Sequence, residues 1–288
     1  MARPFFKWVG GKTQLLPELT RLVPATKGTY YEPFIGGAAA FFHFQELKRF
    51  ERAVLNDVNP EVINCYTMVR DQLPWLIERL DLVLAQPWNT SEYFYAMRAS
   101  KPSQPIDRAV RFLYLLRTCF NGIYRVNRKG EFNTPFGKYA NPKLYNAVDL
   151  QACSAALQGV ELRVGNFRDA VSDAQPGDVA YFDPPYVPVS KTANFTAYAG
   201  EFGPEQQQDL ANLFRELVEQ GVTCVESNSD APLVRQLYAD FQLNVVGARR
   251  NVNSDATKRG PINEIVVVGQ GFLPEAREIP TVFDFDIG

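Results

Sequence analysis

The sequence predicts an α/β fold in which a mostly parallel β-sheet is interrupted by a mainly helical insertion. Three observations lead to this prediction. Segments of strand character alternate with segments of helical periodicity, which is typical of βαβ units. Several strand segments are short apolar runs without alternation, as expected for strands buried on both faces of a sheet. The alternation stops near residue 60 and resumes near residue 149, so the insertion lies between these points.

The first part of the chain contains two helices and two strands. We predict helices over Thr13–Leu22 and Gly37–Leu47, and strands over Thr29–Phe34 and Ala53–Asn56. Asp57 directly follows the second strand. Open α/β sheets bind ligands at the carboxyl ends of their strands, so this carboxylate is a candidate binding residue.

The middle of the chain has a different character. Helical patterns cover Glu61–Arg70, Leu73–Leu84 and Arg108–Cys119, and a loop rich in glycine, asparagine and aromatic residues follows. Loops of this length in compact domains are usually functional or disordered. We therefore expect residues 60–145 to form a separate domain, inserted into a discontinuous domain made of residues 1–59 and 146–270.

The last part resumes the alternation. Predicted strands are Glu161–Val164, Val179–Phe182, Val222–Ser227, Leu243–Val246 and Glu264–Val268, and predicted helices include Glu205–Glu219 and Ala231–Ala239. Residues 271–288 show no periodicity and are expected to form a tail.

Composition excludes several classes of protein. The 288 residues are 46% hydrophobic, which is enough for a substantial core. The sequence contains no stretch of about 20 apolar residues, so no membrane helix is predicted. The amino terminus lacks a signal-peptide pattern, so a cytoplasmic protein is expected. Four widely spaced cysteines predict buried thiols, and His43 is the one histidine. We expect no metal site, and we expect His43 to be a core or helix-surface residue.

The charge is unevenly distributed. The net charge of −2 argues against a nucleic-acid-binding protein. However, residues 98–143 contain ten basic and two acidic residues, so this segment carries +8 and the remainder −10. Such a basic island is either a phosphate-binding surface or an ordinary solvated face.

Two glycine-containing segments near the amino terminus could bind a nucleotide. Strand Thr29–Phe34 leads into Gly36-Gly37, and Asp57 follows twenty residues after Gly37, a spacing at which an acid commonly binds ribose hydroxyls. Because G-x-G-x-x-G is absent, the pattern favours an adenosine site without a pyrophosphate cradle, with a plain glycine turn as the alternative. Gly11-Lys12-Thr13 lacks the rest of a P-loop, so we expect Lys12 to meet some other anionic group.

The segment DVAYFDPPYVP contains the strongest catalytic candidate. The apolar strand Val179–Phe182 is followed by Asp183, and Pro184 and Pro185 then prevent its continuation. Both prolines restrict the backbone, so a carboxylate, a carbonyl and the Tyr186 ring are held in a fixed relation. A simple strand stop is the alternative interpretation.

Taken together, the motifs FKWVGGK, YYEPFIGG, LNDVN, RTCFNGIYRVN, GEFNTPFGKY, YFDPPY and TANFTAY resemble those of Dam-type DNA adenine-N6 methyltransferases. The resemblance extends over residues 5–270. It implies a Rossmann-like methyltransferase sheet, an inserted target-recognition domain, S-adenosylmethionine as methyl donor, and duplex DNA as substrate, with a target such as GATC.

The resemblance also implies roles for individual residues. The catalytic loop would be Asp183, Pro184, Pro185 and Tyr186. The residues lining the cofactor site would be Trp8, Lys12, Glu32, Phe34, Gly36, Asp57, Phe167 and Asp183. The residues that intercalate or read bases would be Lys7, Phe120, Asn121, Ile123, Arg125, Pro135 and Tyr139, and those that contact the DNA backbone would be Asn127, Asn133 and Lys138.

In the implied reaction, Asp183 and the Pro184 carbonyl accept the two hydrogens of adenine N6, and Tyr186 stacks on the flipped-out base. The loop Ser190–Tyr198 would close over the site. No metal, membrane or obligatory second copy is expected. Two alternatives remain, namely a methyltransferase acting on RNA adenine or protein glutamine, and a catalytically silent DNA-binding regulator.

Overall fold

The fold is built on one seven-stranded sheet, which confirms the predicted fold class. The computed structural model describes residues 2–188, 202–249 and 261–271. The strands are β1 (Thr29–Glu32), β2 (Arg52–Asp57), β3 (Glu161–Val164), β4 (Val179–Phe182), β5 (Thr223–Ser229), β6 (Gln242–Arg249) and β7 (Pro261–Gly269). Their order is β3-β2-β1-β4-β5-β7-β6, with β1 to β5 parallel and β7 antiparallel to both neighbours.

Helices surround this sheet and fill the middle of the chain. They are α1 (Leu16–Leu22), α2 (Ala39–Glu46), α3 (Pro60–Asp71), α4 (Leu73–Leu84), α5 (Ser91–Ala99), α6 (Pro105–Thr118), α7 (Ala147–Ala156), α8 (Phe167–Ala170), α9 (Pro204–Glu219) and α10 (Pro232–Leu237), with a short 3₁₀ turn at Phe120–Gly122. The sequence analysis missed α5, which buries only Phe94 and therefore has a weak apolar pattern. Its local signal is Thr90, whose hydroxyl accepts the Tyr93 N–H as an N-cap.

Of the boundaries that differ from prediction, two have a clear local reason. Helix α1 begins at Leu16 and not at Thr13, because the Lys12 carbonyl accepts hydrogen bonds from Leu15 and Leu16 in a preceding turn. Strand β1 ends at Glu32 and not at Phe34, since Pro33 cannot donate to the ladder. Both changes lengthen the loops that surround the site.

The sheet separates two apolar cores. In β1, Tyr30 faces the core shared with α2, α3 and α6, whereas Tyr31 faces the core shared with α9 and α10. Successive side chains of a strand point to opposite faces, so each buried strand contributes to both cores. The chain runs outward from β1 to β3 and returns to β4 on the other side of β1. The carboxyl ends of β1 and β4 therefore form the switch point at which such sheets bind ligands.

Several sequence predictions lie partly or wholly outside this description. The loop Ser190–Tyr198 lies outside the described residues, and so does the predicted tail after residue 271. Where the chain is described, the four cysteines are buried as predicted. His43 lies on α2 and hydrogen-bonds to the Thr20 hydroxyl, as expected of a helix-surface histidine.

Candidate active site

The segment Asp183–Tyr186 leaves the carboxyl end of β4 at the switch point of the sheet. The Asp183 side chain is 18% exposed, Pro184 is buried, and Tyr186 is half-buried. The carboxylate of Asp183 is thus largely shielded by protein, but part of it is accessible at the carboxyl ends of the central strands. This arrangement agrees with the predicted strand-to-loop transition.

Lys12 approaches this carboxylate directly. Its Nζ lies 2.6 Å from Asp183 Oδ1 and 4.5 Å from the centroid of the Tyr186 ring, and it also donates to the Gly10 carbonyl. Lys12 therefore meets an anionic group, as the sequence indicated. That group is the candidate catalytic carboxylate itself.

Opposing effects act on the ionisation of Asp183. Burial raises its pKa, while the positive charge of Lys12 and the hydrogen bonds from Lys12 and Ser227 lower it. The Ser227 hydroxyl donates to the same oxygen, Oδ1, at 2.9 Å. Burial is the largest of these effects, so the pKa of Asp183 stays above its ordinary value, and Lys12 and Ser227 limit the rise.

Asp57 and Gly36 join the ends of β1 and β2. Asp57 Oδ2 accepts the Gly36 N–H at 3.0 Å, and Oδ1 accepts the Asn59 N–H at 2.9 Å. Burial raises the pKa of Asp57 to about 6, and these two hydrogen bonds oppose the shift. Gly36 has φ +43°, and a Cβ there would lie 2.5 Å from Cδ1 of Trp8, so this turn requires glycine.

An aromatic cluster lies beside this turn. Phe34 and Phe167 are stacked with ring centroids 5.6 Å apart, and Phe202 contacts both edge-on at 5.5 and 5.8 Å. Phe34 is half-buried, so part of its ring remains accessible. The structure thus brings Phe34 and Phe167 together as the sequence analysis implied, and it adds Phe202.

Glu32 is the last residue of β1, two positions before Phe34. It is 3% exposed, and Tyr30 donates a hydrogen bond to its Oε2 at 2.8 Å. Burial raises the pKa of Glu32 to about 8, and the charge of Asp183 adds to the shift, whereas the Tyr30 bond opposes it. Glu32 is therefore largely protonated at neutral pH.

This burial predicts a pH-dependent stability. Glu32 binds its proton more tightly in the folded than in the unfolded chain, so its contribution to stability falls as pH rises from about 4.5 to about 8. The fall is at most about 1.4 kcal/mol per pH unit. We expect Glu32→Gln to remove it, so that the variant gains stability relative to wild type between pH 5.5 and 7.5. Urea unfolding at both pH values measures this change, and equal slopes in the two proteins would contradict it.

The amino-terminal segment connects these groups to the polar loop of the middle region. Lys7 Nζ lies 5.5 Å from the Tyr139 ring centroid, and the Lys7 side chain packs against Gly122, which has φ +66°. The ring of Trp8 lies 5.8 Å from that of Tyr124. Lys7 and Lys12 thus place one short segment against the polar loop and against Asp183.

The polar loop is folded back on itself. Antiparallel bridges join Cys119 to Phe136 and Val126 to Phe132. Arg125 donates from Nε to Asn133 Oδ1 at 2.7 Å and from Nη2 to the Asn133 carbonyl at 3.3 Å. These two bonds hold the guanidinium in one orientation while its remaining N–H groups stay at the surface.

The ten predicted nucleic-acid-binding residues are all exposed or half-buried. Those that are exposed are Lys7, Phe120, Asn121, Arg125, Asn127, Pro135 and Lys138, and those that are half-buried are Ile123, Asn133 and Tyr139. Phe120 is 53% exposed, which is unusual for a large apolar ring. The side-chain oxygen of Asn127 accepts the Lys129 and Glu131 N–H groups and so stabilises the turn at the loop's tip.

Three functional candidates were missed by the sequence analysis. Ser227 contacts Asp183, and Gln207 donates to the Pro185 carbonyl at 2.8 Å. Asn228 accepts the Val187 N–H at 3.1 Å. The available signal was the polar run ESNS at the end of an apolar strand, which is costly to bury without a purpose.

The described residues are 2–188, 202–249 and 261–271. Within them, no group of three or more His, Cys, Asp or Glu side chains has the geometry to hold a metal ion. No helix in the same ranges is both long and apolar enough to cross a membrane.

Comparisons with known proteins agree with this geometry. The model of the D12 class N6 adenine-specific DNA methyltransferases matches residues 8–252. The chain is 42% identical over 278 residues to the type II methyltransferase M1.LlaDCHI of Lactococcus lactis subsp. cremoris, covering 93% of this chain and 96% of that protein. It is 36% identical over 270 residues to the DNA adenine methylase of Escherichia coli K12, covering 92% and 95%.

A solved structure, the delta-N METTL16 MTase domain, has a TM-score of 0.43 at 8% identity and covers 90% of this chain and 82% of that one. Similarity at that level carries no inference. The family match, in contrast, includes the Gly36 turn, Asp57, the polar loop and the Asp183–Tyr186 segment. Because the match and both relatives extend over most of the chain, this protein belongs to the D12 class of N6 adenine-specific DNA methyltransferases and is an enzyme of that kind.

Proposed function

We propose that the enzyme transfers the methyl group of S-adenosylmethionine to N6 of an adenine flipped out of duplex DNA, within the sequence GATC. The observation that carries the proposal is the Asp183–Tyr186 segment at the switch point. There a carboxylate, a backbone carbonyl and an aromatic ring are held together by two prolines. The names of the relatives, type II methyltransferase and DNA adenine methylase, agree with it.

The residues near β1 and β2 fit a bound adenosine. Asp57 can accept hydrogen bonds from ribose hydroxyls, and the stacked Phe34 and Phe167 rings offer an apolar wall for adenine. Val58 and Val164 follow at the adjacent strand ends and are 66% and 54% exposed. Exposed apolar side chains around a buried acid are suited to an amphipathic ligand.

The chain's own groups would activate the target amine. Adenine N6 is a poor nucleophile because its lone pair is delocalised into the ring. Asp183 and the Pro184 carbonyl would accept its two hydrogens, draw the nitrogen toward tetrahedral geometry and place negative charge where positive charge develops. Among the described residues no group donates to the Pro184 carbonyl, whereas Pro185 is bonded to Gln207. S-adenosylmethionine, when bound, supplies the methyl group on a sulfonium.

The half-buried Tyr186 ring would stack on the flipped base, and the polar loop would contact the duplex. Residues 60–145 would form the target-recognition domain. Phe120 is suited to wedge between base pairs, and Arg125, held by Asn133, is suited to take guanine O6 and N7 together.

The experiment that tests the proposal follows transfer of labelled methyl from S-adenosylmethionine to two duplexes of equal composition, one with GATC and one with the site scrambled. We expect label on adenine N6 in the GATC duplex alone. Label in both duplexes would retain the enzyme class but reject the target. Label in neither, with the cofactor bound, would reject DNA as substrate in favour of RNA or protein.

Lys12 provides a prediction about pH. Its charge lowers the pKa of Asp183 against the effect of burial, so Lys12→Met is expected to raise that pKa. A protonated Asp183 is a weaker acceptor for its N6 hydrogen and carries no negative charge to offset the positive charge that develops on the nitrogen. The acid limb of the kcat profile should therefore move to higher pH, with a larger loss of activity at pH 6 than at pH 8. Lys12→Arg keeps the charge and is the control. A uniform loss at all pH values would contradict the electrostatic role.

A further inference from the structure

The carboxyl end of β5 is polar and completely enclosed. Glu226, Ser227 and Asn228 are 0% exposed and Ser229 is 3% exposed. Burial of polar groups is unfavourable unless each finds a hydrogen-bond partner, so the partners indicate what such a cluster does. Here the partners include Asp183, the backbone of Val187, and Gln207, which bonds to the Pro185 carbonyl.

On one face of β5, Ser227 orients Asp183. The Ser227 hydroxyl donates to Asp183 Oδ1 at 2.9 Å, and Tyr181 OH lies 2.9 Å from Ser227 Oγ. A serine hydroxyl has a single hydrogen, so Tyr181 must be the donor in the second bond. Hydrogen bonds thus lead from Tyr181 to Ser227 and from Ser227 to Asp183 Oδ1, the oxygen that Lys12 also contacts.

On the other face, Asn228 and Gln207 hold the backbone of the loop. Asn228 Oδ1 accepts the Val187 N–H at 3.1 Å, and its Nδ2 donates to Gln207 Oε1 at 3.1 Å. Gln207 Nε2 in turn donates to the Pro185 carbonyl at 2.8 Å. The two backbone groups that flank Tyr186 are thereby connected through a pair of buried amides.

The orientation of both amides is determined by their partners. The Pro185 carbonyl can only accept and the Val187 N–H can only donate, so neither amide can be reversed without losing a bond. Glu226 completes the arrangement, because its Oε1 accepts from Asn228 at 2.9 Å and its Oε2 accepts from Tyr238. Exchange of any amide for an apolar side chain leaves a buried partner unsatisfied.

We propose that the end of β5, together with Gln207, positions the catalytic loop for methyl transfer. Ser227 sets the direction of the Asp183 carboxylate, and Asn228 with Gln207 sets the backbone on either side of Tyr186. The proposal rests on the proposed function, since it assigns the orientation of the groups that accept the N6 hydrogens. None of the three side chains needs to touch the substrate, so they are positioning residues.

The test compares steady-state kinetics of Ser227→Ala, Gln207→Met and a matched control, Gln208→Met. Gln208 is the next residue of α9, is exposed, and bonds only within the helix, to Asn212. A displacement of reacting groups by about 1 Å can cost about 100-fold in rate. We therefore expect kcat to fall about 10- to 100-fold in both test variants, with KM for the duplex and the cofactor within twofold and Gln208→Met at the wild-type rate.

A second readout separates positioning from general stability. Loss of the Ser227 bond should raise the pKa of Asp183, so the acid limb of kcat moves to higher pH in Ser227→Ala but not in Gln207→Met. Tyr181→Phe should lower kcat less than Ser227→Ala, and the double variant should be no slower than Ser227→Ala alone, because Tyr181 acts through Ser227. Additive losses in the double variant would overturn that chain.

Wild type and Asp183→Ala are assayed in parallel. Cooperative unfolding shows that a variant is folded. If wild type transfers methyl groups and the folded variants Ser227→Ala and Gln207→Met both keep kcat within twofold, the positioning proposal is wrong and the proposed function stands. If wild type transfers no methyl group to adenine, the proposed function fails and this proposal fails with it. If Ser227→Ala does not fold, Gln207→Met decides, and a kcat within twofold of wild type in that folded variant would overturn the positioning proposal.

Discussion

Replacement of Asp183 by alanine is expected to abolish methyl transfer, with a loss of at least about 1,000-fold in kcat. The variant lacks the side chain that would accept an N6 hydrogen, and it leaves Lys12, whose side chain is only 9% exposed, without its carboxylate partner. Because Asp183 would contact only the flipped adenine, whereas the polar loop would contact the rest of the duplex, we expect duplex DNA to bind with nearly unchanged affinity. Single-turnover transfer and DNA binding, measured on the same preparation, give the two results.

Asp183→Asn is the matched variant. It preserves the shape of the side chain and can still accept hydrogen bonds from Ser227 and Lys12 through one oxygen, so the fold is retained. It replaces the second oxygen with a donor, which cannot accept an N6 hydrogen. We expect a loss of similar size. Substantial turnover by either variant would reject Asp183 as the acceptor.

Replacement of Arg125 by alanine is expected to relax the choice of DNA sequence. A bidentate arginine contact to guanine contributes about 1–3 kcal/mol of discrimination, which is about 5- to 150-fold in kcat/KM between cognate and altered sites. Asn133→Ala should cause a smaller loss, because it removes only the bond that orients the guanidinium. Competition between duplexes that differ at one base pair measures the ratio.

Arg128→Ala is the control for charge. Arg128 is an exposed arginine near the tip of the same loop. Its loss should weaken binding to all duplexes alike and reduce the salt dependence of binding, without a change in discrimination. Equal discrimination by wild type and Arg125→Ala would reject base reading by Arg125.

The sequence of helices and strands along the chain was predictable, because apolar periodicity and proline breaks are local signals. Strands β3 and β4 have the predicted bounds, and so does α4. Pro184 and Pro185 place Asp183 at a strand end without reference to any other part of the chain. Local signals were weaker where an element buries little apolar surface, which is why α5 was missed.

The network around Asp183 could not be predicted in the same way. Ser227 reaches Asp183 only because β5 pairs with β4, with Phe182 opposite Glu226. Gln207 reaches the Pro185 carbonyl only because α9 packs on the same face as Asn228. Strand order and helix packing depend on contacts between distant segments, and sequence periodicity carries little information about them.

The sequence by itself determined the α/β class, the ends of β3 and β4 and the position of Asp183 after a strand. It also carried the resemblance that implied an adenine-N6 methyltransferase. The tertiary structure decided that Lys12 pairs with Asp183, that Glu32 is buried with a raised pKa, and that the polar end of β5 hydrogen-bonds to Asp183 and Val187. The physical reason is that backbone propensity and apolar pattern act over a few residues. Ionisation and hydrogen-bond partners, in contrast, depend on which groups the folded chain buries side by side.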